Sequence, residues 1–356
     1  MKFKLFSLFM ALVMVFVMSG CGDKEIAVST SSEANNVTST DPLLSEDGSL
    51  INPLTGVKNL DSAANGQRPV AIMVNNISLA QSVQSGLSKA DIVYEAYAEG
   101  GITRLMAVFK DANKIPRVGS VRSARYSYVD LAMGHDAIYV HAGINESHCT
   151  PHVKETGIDN INLNSGAPAK YGMRISNGLA SEHTLYTNGE NLVKCFNNLN
   201  WRTKLNSSEK MWQSFVDENS PITLTGGASK EINIKMSAAS TTKFVYDSTA
   251  GKFVRYKGSS AMKDFTSGEQ FAFTNVLVLE TELIALTTDG IVKTNLEGGT
   301  GYYFTKGTYQ KIKWSKGAVT NGFKITLEDG SECKFNAGNT WVSLMDKTQG
   351  VNIVSE

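Results

Sequence analysis

The chain has 356 residues with 34 basic and 34 acidic side chains, so its formal net charge at pH 7 is zero. A neutral chain without a basic stripe lacks the charge pattern of nucleic-acid-binding proteins, and it carries no polybasic patch suited to an anionic membrane surface. Its 4 cysteines are too few for a disulfide-rich scaffold, so the fold must depend on a hydrophobic core.

The N-terminus has the pattern of an export signal. Lys2 and Lys4 precede an apolar run over residues 5–18, and a small Ser-Gly pair then precedes Cys21. The apolar run is shorter than the roughly 20 residues that a membrane-spanning helix needs. A basic start, an apolar centre and small residues at the cleavage site are typical of secretory signals.

The last residues of this signal indicate a lipoprotein. They read Met-Ser-Gly-Cys, close to the lipobox of lipoprotein signal peptidase, with Met18 at the position where Leu is commonest. We predict that residues 1–20 are removed and that Cys21 is diacylated with chains such as palmitate. A doubly acylated cysteine anchors a protein stably in the lipid bilayer, here on the extracytoplasmic face of the cell membrane. The alternative is an ordinary signal peptide followed by an incidental cysteine.

A polar segment follows the predicted anchor. Residues 22–50 are rich in Ser, Thr, Asn and acidic residues and contain no aromatic residue. Such a composition cannot bury enough apolar surface to offset the entropy lost on ordering. We therefore predict that residues 21–50 comprise the lipidated cysteine and a disordered linker. Removal of Lys2 and Lys4 with the signal leaves 32 of the 34 basic residues against 34 acidic ones, a formal charge of −2.

Three cysteines remain beyond the anchor, namely Cys149, Cys195 and Cys333. Because their number is odd, a disulfide between any two would leave one thiol over. Export permits such a bond, and the sequence does not select a pair.

Residues 51–220 begin with strand-like segments. The apolar run 69–74 predicts a buried strand. The runs 91–98 and 102–109 flank Glu99-Gly100-Gly101, and two such runs joined by a glycine pair predict a β-hairpin.

Helix-like segments follow the predicted hairpin. Apolar residues at 124, 128, 131 and 132 share one helix face, and Gly134 marks its end. Residues 137–141 return to a strand pattern, and two more helices are predicted over 188–198 and 207–216, each opening with a capping residue. This alternation predicts an α+β or α/β N-terminal domain with a mixed sheet over 51–220.

Residues 221–356 have a different texture. From about residue 231 nearly every segment alternates with the period of a strand, and Gly, Asp-Gly or Asn-Gly turns separate the segments. This pattern predicts a mostly antiparallel, all-β C-terminal domain built as a sandwich or barrel. Several aromatic residues are interpreted as core or cross-strand partners and not as a ligand site: Phe244, Tyr246, Phe253, Tyr256 and Trp314.

Several segments resemble a known family. They are NPLTG (52–56), RPVAIMVNN (68–76), residues 84–109, VGSVRSARYSYVDLA (118–132), DAIYVHAG (136–143), NVLVL (275–279) and GNTWVSL (338–344). On these segments, nearly the whole mature chain resembles the YerB-like bacterial lipoproteins. The resemblance implies an N-terminal α/β part and a C-terminal β part. It implies no substrate, cofactor or catalytic residue, because the family has no assigned activity.

The segment Val-Arg-Ser-Ala-Arg-Tyr is the sharpest candidate for a binding site. Arg122, Ser123 and Arg125 lie at the predicted start of a helix, where free N–H groups and the helix dipole favour anions. Because arginine donates bidentate hydrogen bonds to phosphate and carboxylate, we predict an anion-binding site. The alternative is a structural ion network with Glu95 and Glu99, which at a spacing of four would share one face of a strand.

Polar residues at predicted strand ends extend this candidate site. Asn76 follows the first strand, Arg104 lies just past the glycine turn, and His141 ends a later strand. Clefts form at strand ends in α/β sheets, so these residues and Glu99 are predicted to share a cleft with the arginines. Glu99 and His141 are the candidates for proton transfer. For His141 the alternative is a half-buried histidine with structural hydrogen bonds.

Three further histidines have side chains suited to a functional site. His183, in SEHTLY, matches a family segment that usually has Pro where this chain has Glu182, and it is a further catalytic candidate. His148 and His152 flank Cys149 in HCTPH, a set of zinc-ligand types. Pro151 is expected to prevent a regular helix across this set, and no fourth ligand lies nearby in sequence, so we predict no metal there.

Known catalytic signatures are missing from the sequence. It contains no GxSxG elbow, Walker loop or HExxH motif, and no cofactor is predicted. The favoured hypothesis is a cell-envelope binding or accessory protein. In it Arg104, Arg122 and Arg125 bind a phosphate or carboxylate of an anionic wall polymer or peptide, while Asn76 and His141 orient it. No nucleic-acid partner is expected.

Two alternatives stand beside this hypothesis. The first is an enzyme acting on a phosphate-linked envelope polymer, in which the arginines stabilise developing charge and Glu99 or His141 moves the proton. The second is a purely structural protein whose arginines are all paired internally.

Overall fold

The computed structural model describes residues 50–206, 212–288 and 290–356, and all of them belong to one compact unit. The predicted lipidation site at Cys21 and the predicted linker up to residue 49 lie outside these ranges. Within them, no helix combines the length and the apolar character needed to cross a membrane.

The N-terminal part contributes short helices between strands. Its elements are β1 (Val70–Asn75), β2 (Ile92–Tyr97), β3 (Thr103–Phe109), β4 (Val118–Gly119), α1 (Tyr126–Met133), β5 (Ile138–His141), α2 (Cys149–Thr156), β6 (Asn160–Asn162), β7 (Met173–Arg174), β8 (Leu185–Thr187) and α3 (Gly189–Asn198). The predicted buried strand, hairpin, strand 137–141 and helix 188–198 are confirmed. Asn188 caps α3 by accepting a hydrogen bond from the Asn191 N–H, and Gly134 ends α1.

The C-terminal part consists of strands and turns over the described residues. Its strands are β9 (Glu231–Lys235), β10 (Thr241–Asp247), β11 (Lys252–Lys257), β12 (Ser260–Ala261), β13 (Ala272–Phe273), β14 (Asn275–Thr281), β15 (Leu283–Ala285), β16 (Val292–Thr294), β17 (Gly298–Thr305), β18 (Thr308–Ser315), β19 (Lys324–Leu327), β20 (Thr340–Asp346) and β21 (Val351–Val354).

Two predictions about local structure are wrong. The predicted helix 207–216 begins in residues outside the described ranges, but 212–216 are not helical, and Phe215 instead forms a bridge with Phe335. Pro151 does not prevent a helix, because α2 begins at Cys149 and includes it. A proline is tolerated there because N–H groups in the first turn of a helix have no intrahelical acceptor.

One sheet runs through both parts of the chain. Its order is β19-β18-β17-β14-β20-β2-β3-β1-β5-β6. The sheet is mixed: β1 pairs parallel with β5 and antiparallel with β3, while β20 pairs parallel with both β2 and β14. The fold class is therefore as predicted, a mixed sheet with helices in the N-terminal part and mostly antiparallel strands in the C-terminal part.

A second sheet packs on one face of the first. It has the order β12-β11-β10-β9-β21, with β13 also paired to β11. Phe244 of β10 meets Trp341 of β20 with ring centroids 5.4 Å apart. The C-terminal strands thus form two packed sheets, as the sandwich prediction expects, but one of these sheets continues into the N-terminal strands.

The central strands are buried on both faces, which explains their continuous apolar runs. On β1 and β3 every residue is buried. Val70, Ile72 and Val74 face the core that includes the second sheet and α3, whereas Ala71 and Met73 face the core that includes α1. The cysteines Cys149, Cys195 and Cys333 are all buried and free.

The turn between β2 and β3 requires both of its glycines. Ile102 N–H donates to the Glu99 carbonyl at 3.0 Å, and the two residues between them, Gly100 and Gly101, have φ of 58° and 79°. Two-residue hairpins need positive φ at both central positions, a conformation that costs other residues free energy. The turn matters because it carries Glu99.

We expect Gly100→Ala to lower the free energy of unfolding by about 1–2 kcal/mol, the cost of a left-handed L-residue. A Cβ at this position meets nothing within 4 Å, so the effect is purely conformational. The matched control is Gly350→Ala, where a Cβ also meets nothing within 4 Å and φ is not positive. Urea denaturation should show the loss in the first variant and a change of under about 0.5 kcal/mol in the second. Equal effects of the two variants would contradict the turn assignment.

Candidate functional site

Three arginines gather at one end of the central strands. Arg104 lies on β3 in register with Asn75 of β1, Arg125 directly precedes α1, and Arg122 lies three residues earlier. The backbone of this segment is fixed to β1, because Arg122 N–H donates to the Met73 carbonyl at 3.2 Å. We call Arg104, Arg122 and Arg125, together with Glu99, the arginine cluster.

The helix starts later than the sequence predicted. Arg125 is the residue before the first turn of α1, so Arg122 and Ser123 lie ahead of the helix and not in it. The Ser123 hydroxyl donates to the Ala142 carbonyl at 3.0 Å. Arg122 and Ser123 are therefore positioned by contacts with the ends of β1 and β5, and the helix-terminus argument applies to Arg125 alone.

Glu99 is the central carboxylate of the arginine cluster. It accepts a hydrogen bond from Arg104 Nη2 at 2.9 Å and two from Arg125, through Nε and Nη2. Burial acts to raise the pKa of Glu99, but the hydrogen bonds and charges of Arg125 and Arg104 outweigh it and lower the pKa to about 2. The structural ion network considered from sequence is thus present for Arg125 and Glu99.

Glu95 does not take part in this cluster. It lies within β2 and is buried, whereas Glu99 lies beyond the end of the strand, so the two do not share a face as expected. Glu95 accepts hydrogen bonds from Thr103, Thr242 and Asn76 at 2.8–3.0 Å. Asn76 therefore belongs to a polar network beneath the second sheet, and none of its hydrogen bonds reaches the arginine cluster.

The arginines retain hydrogen-bonding capacity. Arg122 Nη1 donates to the Glu182 carbonyl at 3.1 Å and lies 3.7 Å from the exposed Glu182 carboxylate. The Nε atoms of Arg104 and Arg122 are buried without a hydrogen-bond partner in the described part of the chain. Burial, then the charges of Arg125 and Arg122, lower the pKa of Arg104 to about 10. Three guanidinium groups thus face two carboxylates, and one of these is at the surface.

A pocket adjoins the cluster at Arg125. Its volume is about 150 Å³, and Glu99, Arg125, Tyr126, His148 and Val292 are among its lining residues. Phosphate- or carboxylate-sized groups fit a space of this volume. Of the arginine cluster, Glu99 and Arg125 line this pocket.

The two candidate histidines differ in their surroundings. The ring nitrogens of His141 lie 2.9 Å from the Gly143 carbonyl and 3.0 Å from Asn160 Oδ1, and burial lowers its pKa. Both nitrogens are engaged away from the arginine cluster, as the structural alternative for His141 expects.

His183 lies beside the cluster. Its Nδ1 accepts from Asn75 Nδ2 at 2.9 Å, so the proton resides on Nε2, which lies 3.1 Å from Glu182 Oε1. The Asn75 amide is oriented because its oxygen accepts from the Ile77 N–H. Through Glu182, His183 is connected to Arg122. From the sequence, Glu182 was only a departure from the family pattern. Its position between His183 and Arg122 was not predicted.

The HCTPH segment forms the start of α2. His152 Nε2 lies 2.6 Å from Asp130 Oδ1, and its ring stacks on Tyr126 with centroids 3.7 Å apart. Burial raises the pKa of the Cys149 thiol to about 12. The described ranges hold no cluster of three His, Cys, Asp or Glu side chains arranged to bind a metal ion.

Arg255 was missed by the sequence interpretation. It lies on β11 two residues after Phe253, so it shares the inward face of this strand, and it is 2% exposed. Its Nη atoms donate to Asn76 Oδ1 at 2.9 Å and Gln84 Oε1 at 3.1 Å. An arginine at an inward position of an alternating strand was the available signal.

Known proteins with this architecture identify the family. The chain is 30% identical over 316 residues to the Bacillus subtilis (strain 168) protein named "Putative lipoprotein YerB", covering 85% of this chain and 88% of that protein. The chain belongs to the YerB-like family. The N-terminal and C-terminal domains of the protein of unknown function DUF3048 match residues 54–202 and 232–342. The crystal structure of Bacillus subtilis YerB is similar at a TM-score of 0.70 and 28% identity, covering 85% of this chain and 99% of that one.

The low pKa of Glu99 predicts a pH-dependent contribution to the stability of this YerB-like protein. A carboxylate whose pKa is depressed stabilises the fold above its ordinary value of 4.5 and loses this effect as the pH falls towards about 2. We expect Glu99→Gln to reduce the free energy of unfolding by about 2 kcal/mol at pH 7. Denaturation at stepped pH values should show this difference shrinking below pH 4.5.

The control for this series is Glu190→Gln. Glu190 pairs with Lys194 on the surface of α3 with its side chain 71% exposed, so its removal should change stability little at any pH. A Glu99→Gln deficit that stays constant from pH 7 to pH 3 would rule out the arginine pairing as its origin.

Proposed function

We propose that this protein is a membrane-anchored extracytoplasmic lipoprotein whose arginine cluster binds a phosphate or carboxylate group of a cell-envelope component. The observation that carries the binding part is the pair of buried guanidinium Nε atoms, on Arg104 and Arg122, that lack a hydrogen-bond partner in the described residues. Buried donors without acceptors are costly, and an anion in the cluster would satisfy them.

The anchor part rests on the sequence of the export signal and on the family. The Bacillus subtilis relative carries the word lipoprotein in its name. The Cys21 site and the polar segment after it are what a lipid tether requires. An anchored protein acts at the membrane surface, where anionic wall polymers and peptides are its accessible ligands.

Charge favours an anion over a cation or a neutral ligand. Glu99 compensates only part of the positive charge of Arg104 and Arg125, and Arg122 has a carboxylate only at the exposed rim. A bound phosphate or carboxylate would displace Glu182 from this rim and bond to Arg122 directly. Charge-assisted hydrogen bonds of this kind are about twice as strong as neutral ones.

A catalytic role is the second candidate, and His183 favours it. Its Nε2 proton points towards Glu182, which contacts Arg122, so a substrate held by Arg122 would lie near a proton donor. In this alternative the arginines stabilise developing negative charge, and the His183 Nε2–H donates a hydrogen bond to the leaving group. The structural alternative draws its support from the Arg125–Glu99 pair.

Arg122→Ala tests the binding proposal with little risk to the fold. Arg122 donates to a main-chain carbonyl and lies near an exposed carboxylate, so its loss should barely change the melting temperature. We expect the dissociation constant for poly(glycerol phosphate) or for soluble peptidoglycan fragments to rise about tenfold to 100-fold. Binding by the wild type should also weaken as salt is added.

The matched control is Arg117→Ala, which removes the same charge at an exposed position. It should leave binding unchanged. Equal affinities of the Arg122→Ala and Arg117→Ala proteins, measured by titration calorimetry, would refute a binding site at the arginine cluster. Binding that is lost only in the Arg125→Ala protein, together with a lower melting temperature, would favour the structural alternative.

The anchor has its own test. Cells that express the wild-type protein should incorporate an alkyne analogue of palmitate into it, and the Cys21→Ala protein should remain unlabelled and leave the membrane fraction. Cys149→Ala serves as the control, because Cys149 is buried in the fold and should not be acylated. Label that persists in the Cys21→Ala protein would disprove lipidation at this residue.

A further inference from the structure

A second pocket lies at the second sheet, separate from the arginine cluster. It has a volume of about 230 Å³ and is lined mainly by residues of β9, β10 and β11, with Gln81 from the short 3-10 helix after β1. Among its described lining residues are three cations, Lys243, Arg255 and Lys257, and no carboxylate. We call this the Arg255 pocket.

Arg255 gives this pocket a buried positive charge. It is 2% exposed, and its guanidinium lies 4.7 Å from the centre of the Trp341 ring. Its two Nη atoms bond to the amide oxygens of Asn76 and Gln84, which are neutral, and its Nε has no hydrogen-bond partner in the described part of the chain. A buried guanidinium with neutral partners attracts an anion.

Glu95 compensates the charge of Arg255 only indirectly, through the side chain of Asn76. Asn76 donates to Glu95 Oε1 at 3.0 Å and accepts from Arg255, so the amide separates the two charged groups. Glu95 is also saturated by hydroxyl donors from Thr103 and Thr242. The Asn76 amide holds Arg255 in place, and Arg255 is one of the residues that line the pocket.

The rim of the pocket adds a further cation and fixed polar groups. Lys257 Nζ donates to the Ser78 carbonyl at 2.8 Å, while Lys243 pairs with Glu231 at 2.7 Å. The amides of Gln81 and Asn233 are oriented because each donates a hydrogen bond, to the Asn76 carbonyl and to Glu231 respectively. Fixed amides orient hydroxyl groups, and the Tyr256 ring at the wall offers a face for a sugar ring.

We propose that the Arg255 pocket binds a monosaccharide carrying an acidic group, a phosphate or a carboxylate, with the acid directed to Arg255 and Lys257. Its volume is below the roughly 300–1,000 Å³ typical of drug-sized ligands, which suits one sugar residue or the end of a saccharide chain. This site is distinct from the arginine cluster and holds whether or not that cluster binds an anion.

Titration calorimetry on the full-length protein in detergent tests this site with glucose 6-phosphate, glucuronate, glucose and inorganic phosphate. We expect saturable binding of one or both acidic sugars, at least about tenfold tighter than phosphate or glucose alone, because charge and hydroxyl contacts act together. The better of the two acidic sugars identifies the acidic group. Failure of both to bind at millimolar concentration, or phosphate binding as tightly as they do, would overturn the proposal.

Arg255 itself is a poor residue to remove, because its loss would take a hydrogen-bond donor from each of the buried side chains of Asn76 and Gln84. Thr241→Glu is preferable, since Thr241 lines the pocket at an exposed strand position. The added negative charge should abolish binding, and Lys257→Gln should weaken it about tenfold. Ser315→Glu, at an exposed position of β18 in the other sheet, makes the same charge change and should bind as the wild type does.

Arg122→Ala separates this proposal from the arginine cluster. If the Arg122→Ala protein still binds the acidic sugar and the Thr241→Glu protein does not, the ligand is assigned to the Arg255 pocket. Binding that is lost in the Arg122→Ala protein and retained in the Thr241→Glu protein would overturn the proposal and assign the sugar to the arginine cluster. Unchanged binding in the Thr241→Glu protein with an unchanged melting temperature would likewise overturn it.

Discussion

The parallel pairing of β2 with β20 joins the two halves of the fold. In the large sheet, β2 is the N-terminal strand that lies next to the C-terminal strands, and β20 is the C-terminal strand beside it. In their register Glu95 lies opposite Ser343, and Val93 opposite Trp341. Residues nearly 250 positions apart in the chain thereby meet in one core. Without this pairing neither half would have a complete sheet, and the second sheet would lose the aromatic surface of Trp341 on which it packs.

The same pairing explains why charged groups lie in the core. Glu95 points from β2 towards the second sheet, where Thr242 of β10 and Asn76 donate hydrogen bonds to it. Arg255 of β11 reaches the same layer and stacks on Trp341. Buried charges of this kind are tolerated only when neighbouring polar groups saturate them, and removing one partner costs more than the pair contributes. This network links the two sheets through specific polar contacts in addition to apolar packing.

At one end of the central strands, the arginine cluster places Arg125 directly before α1, where the helix dipole disfavours a cation. Glu99 offsets this at Arg125, and it can do so because the tight glycine turn brings it beyond the end of β2. Arg104 and Arg122 are only partly compensated. The cluster therefore combines a structural ion pair with unsatisfied donors, and these are the two properties that the sequence presented as alternatives.

The sequence alone could predict those features that depend on interactions between residues close together in the chain. The apolar runs, the glycine pair and the caps specified the strands, the hairpin and the helix ending at Gly134, because each depends on residues close together in the chain. The role of each charged side chain depended on strand register and on the strand end, which are long-range. Residues four apart share one face only if both lie in the same strand. The strand β2 ends at Tyr97, between Glu95 and Glu99, so the two carboxylates do not share a face. Only the tertiary structure decided that Asn76 bonds to Arg255 and Glu99 to Arg125, because these partners come from distant segments that the fold brings together.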